Sequence, residues 1–444
     1  MMLFSASYQT ESAFTLYNTD MQNARQESHY PLSFRTTDVK FFEELIARRH
    51  SMQLIGMKRV GINNLIQHFF THKNYPSNHT YLFVMVDLNN LVEREAFPFW
   101  QLTLKRIVDA VRDGEVPSPI EKKITRIFEN CIQYENILMT YDGVREALHT
   151  IVTADIYPVV FFTRFDRIAN LLTEEFFDNL KGIHDAAHNR ISYVFTSYRK
   201  LQELAPLASR NKSILDFLST HYIKPACPED SDSIIRSFEH AFHIEIPQRE
   251  RAYIIEQSAG HVQYLQLALT SYYEADMEAR AKLTYVNDER IAMQSDELWE
   301  SLSTQEQHIM RKVLEGKQIT SEDERLGAYL FNTGLITNAE SLKYRIFSPL
   351  LAAYIKSRID VKKSDSLEFT KKEHLLFTCL LNHVEEICER EVIIEHVWPE
   401  DEDFGISDWS IDKLVERLRI KLAQKHPEYE IVTVRTRGYK MVKQ

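Results

Sequence analysis

The chain has 444 residues, 44% hydrophobic and 26% charged; these are the proportions of folded globular protein at a length of about three domains, which excludes global disorder and a single small binding module. The formal net charge of -11 excludes a surface that is basic throughout, yet leaves room for one basic face, because the local field decides contact with nucleic acid. The longest apolar runs, Tyr81–Val86 and Leu350–Ile355, are six residues each, far short of the ~20 that a membrane span needs.

Four cysteines, Cys131, Cys227, Cys379 and Cys388, are too scattered for a disulfide framework or a zinc site. The N-terminus lacks a basic, apolar leader, so the expectation is a cytoplasmic protein with reduced thiols and no membrane partner. Glycine is scarce, 11 in 444. That weighs against an active nucleotide enzyme, whose phosphate loops need it.

Residues 1–36, rich in Ser, Thr, Gln and Asn, show no periodicity and read as an N-terminal arm. Over 37–225, β-rich runs at Met52–Ile55, Tyr81–Asp87, Tyr157–Phe162, Ile191–Thr196 and His221–Lys224 alternate with helical stretches such as Phe99–Val111, Pro119–Cys131 and Asn170–Ala187. This alternation predicts an α/β domain, a parallel sheet with helices on both faces. Over 226–290 the strands stop, and Ser231–Phe242, Gln248–Ala259 and Val262–Glu278 carry apolar residues at spacings of three and four, a helical subdomain. Over 291–360, Ser303 with Glu306 forms a capping box before Ile309, Met310 and Val313. Asn332-Thr333-Gly334 stops the next helix, and Leu335-Ile336 with Tyr344–Phe347 suits a small hairpin, which together make a winged-helix-like unit. The polar stretch Val361–Ser366 reads as a linker, and 367–444 as a final compact unit.

That final unit carries the strongest signal. Thr370 and Glu373 cap a helix whose buried face is Leu375, Leu376, Cys379 and Leu380. Ile393–Val397 with Trp398 forms a second helix. A third runs from about Asp408 to Leu422, with Ile411, Val415, Leu418 and Leu422 as its inward stripe and Lys413, Glu416, Arg417, Ile420 and Lys421 on its outer face. An alternating strand and a glycine turn, Ile431–Tyr439, close the chain. Residues 413–443 hold nine Lys and Arg against three Asp and Glu. A helix with a basic outer face followed by a basic hairpin suits double-stranded DNA: the helix enters a major groove and a wing arginine reaches the adjacent minor groove or phosphates.

From Thr370 to Val442, "EHLLFTCLLNH", "IIEHVW", "SIDKLVERLRIKL" and "IVTVRTRGYKM" occur in the order of the OmpR/PhoB-type winged-helix DNA-binding domain, which this segment resembles. The resemblance implies a recognition helix at Trp409–Leu422 and a wing bearing Arg435 and Arg437. The DNA contacts then expected are Trp409, Ser410, Lys413, Arg417, Lys421, Thr433, Arg435 and Arg437. Arg419 and Asp412 fall toward the side of the helix and read as structural. Leu414 and Glu416 stand where the family often has polar or basic residues, and its usual receiver domain is absent.

After the strand Met52–Ile55 comes Gly56-Met-Lys-Arg-Val-Gly61-Ile62-Asn63, then a helix. The glycine spacing and the strand–loop–helix setting are those of a phosphate loop, but its lysine is Ile62 and its magnesium-binding hydroxyl is Asn63. The strand Pro158–Phe162, which should end in acids, ends in Thr163-Arg164, with Asp166 beyond. The order of segments resembles the STAND branch of AAA-like P-loop ATPases: "VVFFTRFDRI" at the Walker-B position, "ISYVFTSYRKLQEL" at the sensor strand, and "AGHVQYLQLAL" at the helical lid. The resemblance implies the architecture; the altered positions imply no catalytic residues and no hydrolysis. ATP or ADP remains a candidate ligand of Gly56, Lys58, Arg59, Gly61, Ile62 and Asn63, through backbone amides and the helix N-terminus.

The histidine pairs His184/His188, His68/His72 and His240/His243 have helical spacing, but no third ligand, and Cys379 reads as a core residue; no metal is expected. Two classes of function follow. The leading one is a non-enzymatic DNA-binding regulator whose degenerate ATPase-like module senses a protein partner or self-associates. The alternatives are a nucleotide-driven ATPase switch and a scaffold whose winged helices bind only protein.

Overall fold

The computed structural model describes residues 30–71, 80–114, 116–133, 136–206, 218–280, 284–339, 343–363, 369–398, 408–434 and 437–443. The chain divides into two compact units, Arg25–Tyr354 and one built on Ile355–Gln444.

The first unit opens with α1 (Thr36–Ala47) and holds a five-stranded sheet of β1 (Met52–Gly56), β2 (Thr80–Asp87), β3 (Ile156–Thr163), β4 (Ser192–Ser197) and β5 (Ser219–Ile223). All pairs are parallel, in the order β2-β3-β4-β1-β5. β1, β3 and β4 are buried along their whole length, as helices on both faces require. Pro158 falls one residue before the β4 ladder begins at Val159, where a missing N–H is tolerated. Between the strands lie α2 (Ile62–Thr71), α3 (Ala96–Asp113), α4 (Ser118–Ile132), α5 (Ile137–Thr153) and α6 (Glu174–Ala186). Phe99, Trp100, Phe162, Phe165, Phe176 and Phe195 form one buried aromatic cluster under the sheet. The helix over Ile137–Thr153 has no counterpart in the sequence reading, because its apolar face is interrupted by Thr140, Gly143 and Thr150, all buried.

The same unit continues through α7 (Pro228–Phe242), α8 (Gln248–Ser258), α9 (Val262–Glu274), α10 (Glu289–Glu300), α11 (Thr304–Leu314), α12 (Ser321–Leu326) and α13 (Ala328–Asn332), then the hairpin of β6 (Ile336–Ala339) and β7 (Lys343–Ile346). The Ser303–Glu306 capping box is present. Glu306 also binds Arg199, which follows β4, through two 2.6 Å hydrogen bonds, and Arg199 lies 3.8 Å from the ring centre of Tyr329. The sheet, the helical subdomain and the hairpin unit are therefore one packed body. The end of the arm belongs to it as well: Phe34 is buried, and Arg35 donates to the carbonyls of Lys224 and Val60 while its N–H meets Asp230. Residues 1–29 lie outside the described residues.

Helix α14 (Pro349–Lys363) extends through Val361–Lys363, three residues read as linker; 364–366 lie outside the described residues. The second unit then has α15 (Lys371–Asn382), β8 (Ile387–Glu389), α16 (Arg390–Val397), α17 (Asp408–Lys425), β9 (Tyr429–Val434) and β10 (Gly438–Lys443), with an antiparallel sheet in the order β8-β10-β9. β8 escaped the sequence reading: three residues are too few for an alternating pattern to register. Among the described residues no helix is long and apolar enough to cross a membrane.

Candidate functional site

In the second unit, Ile411, Val415, Leu418 and Leu422 turn inward from α17 and are at most 1% exposed, and Leu414 joins them at 8%. Leu414 is thus a core residue, which accounts for an apolar side chain at that position. Asp412, Glu416, Arg417 and Ile420 face outward. Strand β10 lies close against β8 at Gly438, at φ 153°, where a Cβ would lie 2.1 Å from the Cys388 carbonyl oxygen. Tyr439, next in the strand, hydrogen-bonds Asp412, and Arg390 reaches Asp412 at 2.6 Å. Arg390 therefore ties the start of α16 to α17 and β10. Sequence reading missed this role, because only the fold brings Arg390 to Asp412.

The expected DNA contacts divide by their surroundings. Arg417 is exposed on the outer face of α17. Lys413 lies 2.6 Å from Glu416 one turn along. Arg437, beside the hairpin turn, is exposed and loosely paired with Glu389 at 3.3 Å. Thr433 is exposed and accepts a 2.8 Å bond from Arg419, which also donates to the Ile431 carbonyl. Arg419 and Asp412 thus serve inside the module, as their place on the side of the helix implies. Lys421 turns to Glu373, at 2.6 Å, and Glu373 is buried and closes the Thr370 capping box. Ser410 is half-buried in the first turn of α17. Trp409 belongs to that turn, with its side chain outside the described residues, and Arg435 lies outside them altogether.

In the first unit, the loop Gly56–Gly61 connects β1 to α2, as a phosphate loop would. Arg59 and Gly61 adopt φ of 59° and 101°. The loop is filled by its own apolar side chains: a Cβ on Gly56 would lie 2.8 Å from Val60 Cγ1 and 3.1 Å from Ile62 Cδ1. Its cations are drawn to α10, with Lys58 Nζ 3.8 Å and Arg59 Nε 2.8 Å from the Glu297 carboxylate. Asn63 is half-buried in the first turn of α2. His261, fully buried at the start of α9, donates from Nε2 to the Lys58 carbonyl at 2.9 Å and accepts the Tyr264 N–H on Nδ1. Those two partners assign the neutral tautomer with the proton on Nε2. Burial pushes the His261 pKa down to about 4.

At the ends of the central strands, Arg164 makes two 2.8 Å bonds to Asp87, and Thr163 donates to the same carboxylate at 3.1 Å. Asp87, at the end of β2, is the acid nearest this point in the fold; only strand order reveals it. Asp166 lies close enough to Lys58 to feel its charge, yet burial raises its pKa overall.

Two of the histidine pairs straddle helix ends. Helix α6 ends at Ala186, and His188 lies past it with φ 53°. His243 is likewise past the end of α7 at φ 51°, while His68 is buried beside Phe34 and His72 lies outside the described residues.

Comparison with known proteins matches residues 364–441 to the family model described as "Transcriptional regulatory protein, C terminal". Among solved structures, the chain is similar to the Walker-type ATPase PABY2304 of Pyrococcus abyssi, at 13% identity and a TM-score of 0.46 over 72% of this chain and 95% of that one. It is also similar to the ORC2 protein of Aeropyrum pernix with ADPNP and ADP, at 13% identity and 0.43 over 78% and 99%. The ORC1 protein of A. pernix in complex with DNA matches at 10% identity and 0.37 over 93% and 90%. The chain thus carries a five-stranded parallel α/β sheet with helices in its first unit and, over residues 364–441, a C-terminal winged helix that matches the model of the transcriptional regulatory protein C terminus.

Proposed function

We propose that this protein is a DNA-binding transcription regulator. The observation that carries the reading is the outer face of α17, with Arg417 exposed on it, in a winged helix that also exposes Thr433 and Arg437 on its hairpin. A helix of this kind reads base edges in a major groove, and the hairpin adds backbone contacts. The P-loop-type module acts as a STAND-like sensing or self-association body without ATP hydrolysis. Supporting this are Ile62 and Asn63 at the positions of the catalytic lysine and hydroxyl, Lys58 and Arg59 turned to Glu297, and Arg164 closing on Asp87. Transition-state charge would meet neither the lysine nor the metal that phosphoryl transfer relies on.

The test is selection of bound duplexes from a random library by the full chain. Enrichment of one motif, lost in Arg417→Ala, supports the reading; an unenriched pool contradicts it.

A further inference from the structure

Cys379 on α15 and Cys388 on β8 meet in the core of the winged helix. Their sulfurs lie 3.5 Å apart, and each residue is 1% exposed. One ring nitrogen of His383 joins them, with all three ligand atoms within 4.8 Å of one another. His383 Nδ1 lies 2.8 Å from the Cys379 carbonyl oxygen. A carbonyl only accepts, so the proton is on Nδ1 and the lone pair on Nε2, the outer hydrogen bond that metal-bound histidines ordinarily make. The sequence hides this grouping because residues four and nine apart across a helix end and a three-residue strand match no standard ligand spacing.

We propose that Cys379, His383 and Cys388 bind one thiophilic divalent cation of the zinc(II) class. Thiolate bonds of ~2.3 Å around a tetrahedral ion put sulfurs roughly 3.7 Å apart, so the observed pair needs to open only slightly. A disulfide instead requires closure to ~2.05 Å. Two thiolates and a neutral imidazole balance a dication, so the buried site carries no net charge, and the half-exposed side at His383 leaves a fourth position to water. The ion displaces two thiol protons to solvent, so affinity rises with pH. The bound ion would fasten α15, which packs on α17, to β8, which pairs with β10 of the wing.

The experiment titrates cobalt(II) into the reduced, metal-free full chain and follows thiolate-to-cobalt charge-transfer absorption, with zinc(II) as competitor. The expected result is saturation at one ion per chain, unchanged in Cys131→Ala/Cys227→Ser and abolished in Cys379→Ser/Cys388→Ser. His383→Gln alters a half-buried side chain and leaves the thiol core in place. It should bind at least tenfold more weakly while keeping its circular dichroism. No absorption at stoichiometric cobalt, or a band that survives loss of both thiols, overturns the proposal. So does air oxidation of Cys379 and Cys388 to a disulfide in the presence of saturating zinc, which would make the pair redox-active instead.

Discussion

Val262, the first residue of α9, packs so closely on Gly61 of the β1–α2 loop that a Cβ on the glycine would lie 2.4 Å from Val262 Cγ2. The glycine is also held at φ 101°, so Gly61→Ala meets both a clash and backbone strain, together on the order of 1–3 kcal/mol. Thermal unfolding should show a clear drop in Tm for Gly61→Ala, partly recovered by adding Val262→Ala. Equal stability of Gly61→Ala and the parent would refute this contact.

ATP with magnesium should give no phosphate release above background, because Ile62 carries no charge and Arg164 occupies the end of β3. Stabilisation by nucleotide without turnover would keep the module non-catalytic and make ATP or ADP a structural ligand. Magnesium-dependent turnover that disappears in Lys58→Ala or Asp166→Asn would show an ATPase switch.

The parallel sheet was legible because short β-rich runs, most plainly the apolar Val159–Phe162 of β3, alternate with amphipathic helices, and the capping boxes at Ser303 and Thr370 fixed two helix starts to the residue. The inward stripe of α17 was equally plain. What the sequence concealed was partnership. Lys413 and Lys421 read alike as basic residues on one helix, yet one meets an exposed Glu416 and the other a buried Glu373 from α15. Glu297, Asp87 and Arg390 gave no local signal, since each acts on a residue far away in the chain.

His261 should make the first unit acid-sensitive. Its folded pKa of about 4 lies below the ordinary 6.5, so between these values the unfolded chain binds a proton that the folded chain refuses. Stability is intact above pH 6.5 and falls as pH drops toward 4, by about 3 kcal/mol from this residue. Urea unfolding at pH 7 and pH 4.5 should show a smaller loss in His261→Gln than in the parent; the same loss in both would contradict it.

Lys421 and Arg417 should fail differently. Lys421→Met leaves the buried Glu373 without its cation and should destabilise the winged helix by on the order of 2–3 kcal/mol, with DNA affinity of the folded protein unchanged. Arg417→Ala, at an exposed position where a pair is worth at most about 1 kcal/mol, should lower Tm far less than Lys421→Met and reduce discrimination between DNA sequences by on the order of 10- to 100-fold. Melting curves and competition binding on one preparation of each variant separate the two roles.

If the winged helix engages duplex DNA through its basic helix face and hairpin, binding by the full chain must depend steeply on salt. Log K should fall linearly with log salt concentration, at a slope of ~0.9 per phosphate contact, and Arg437→Ala should lower the slope by about one. Binding that ignores salt, or a full chain that binds no duplex at low salt, would contradict it.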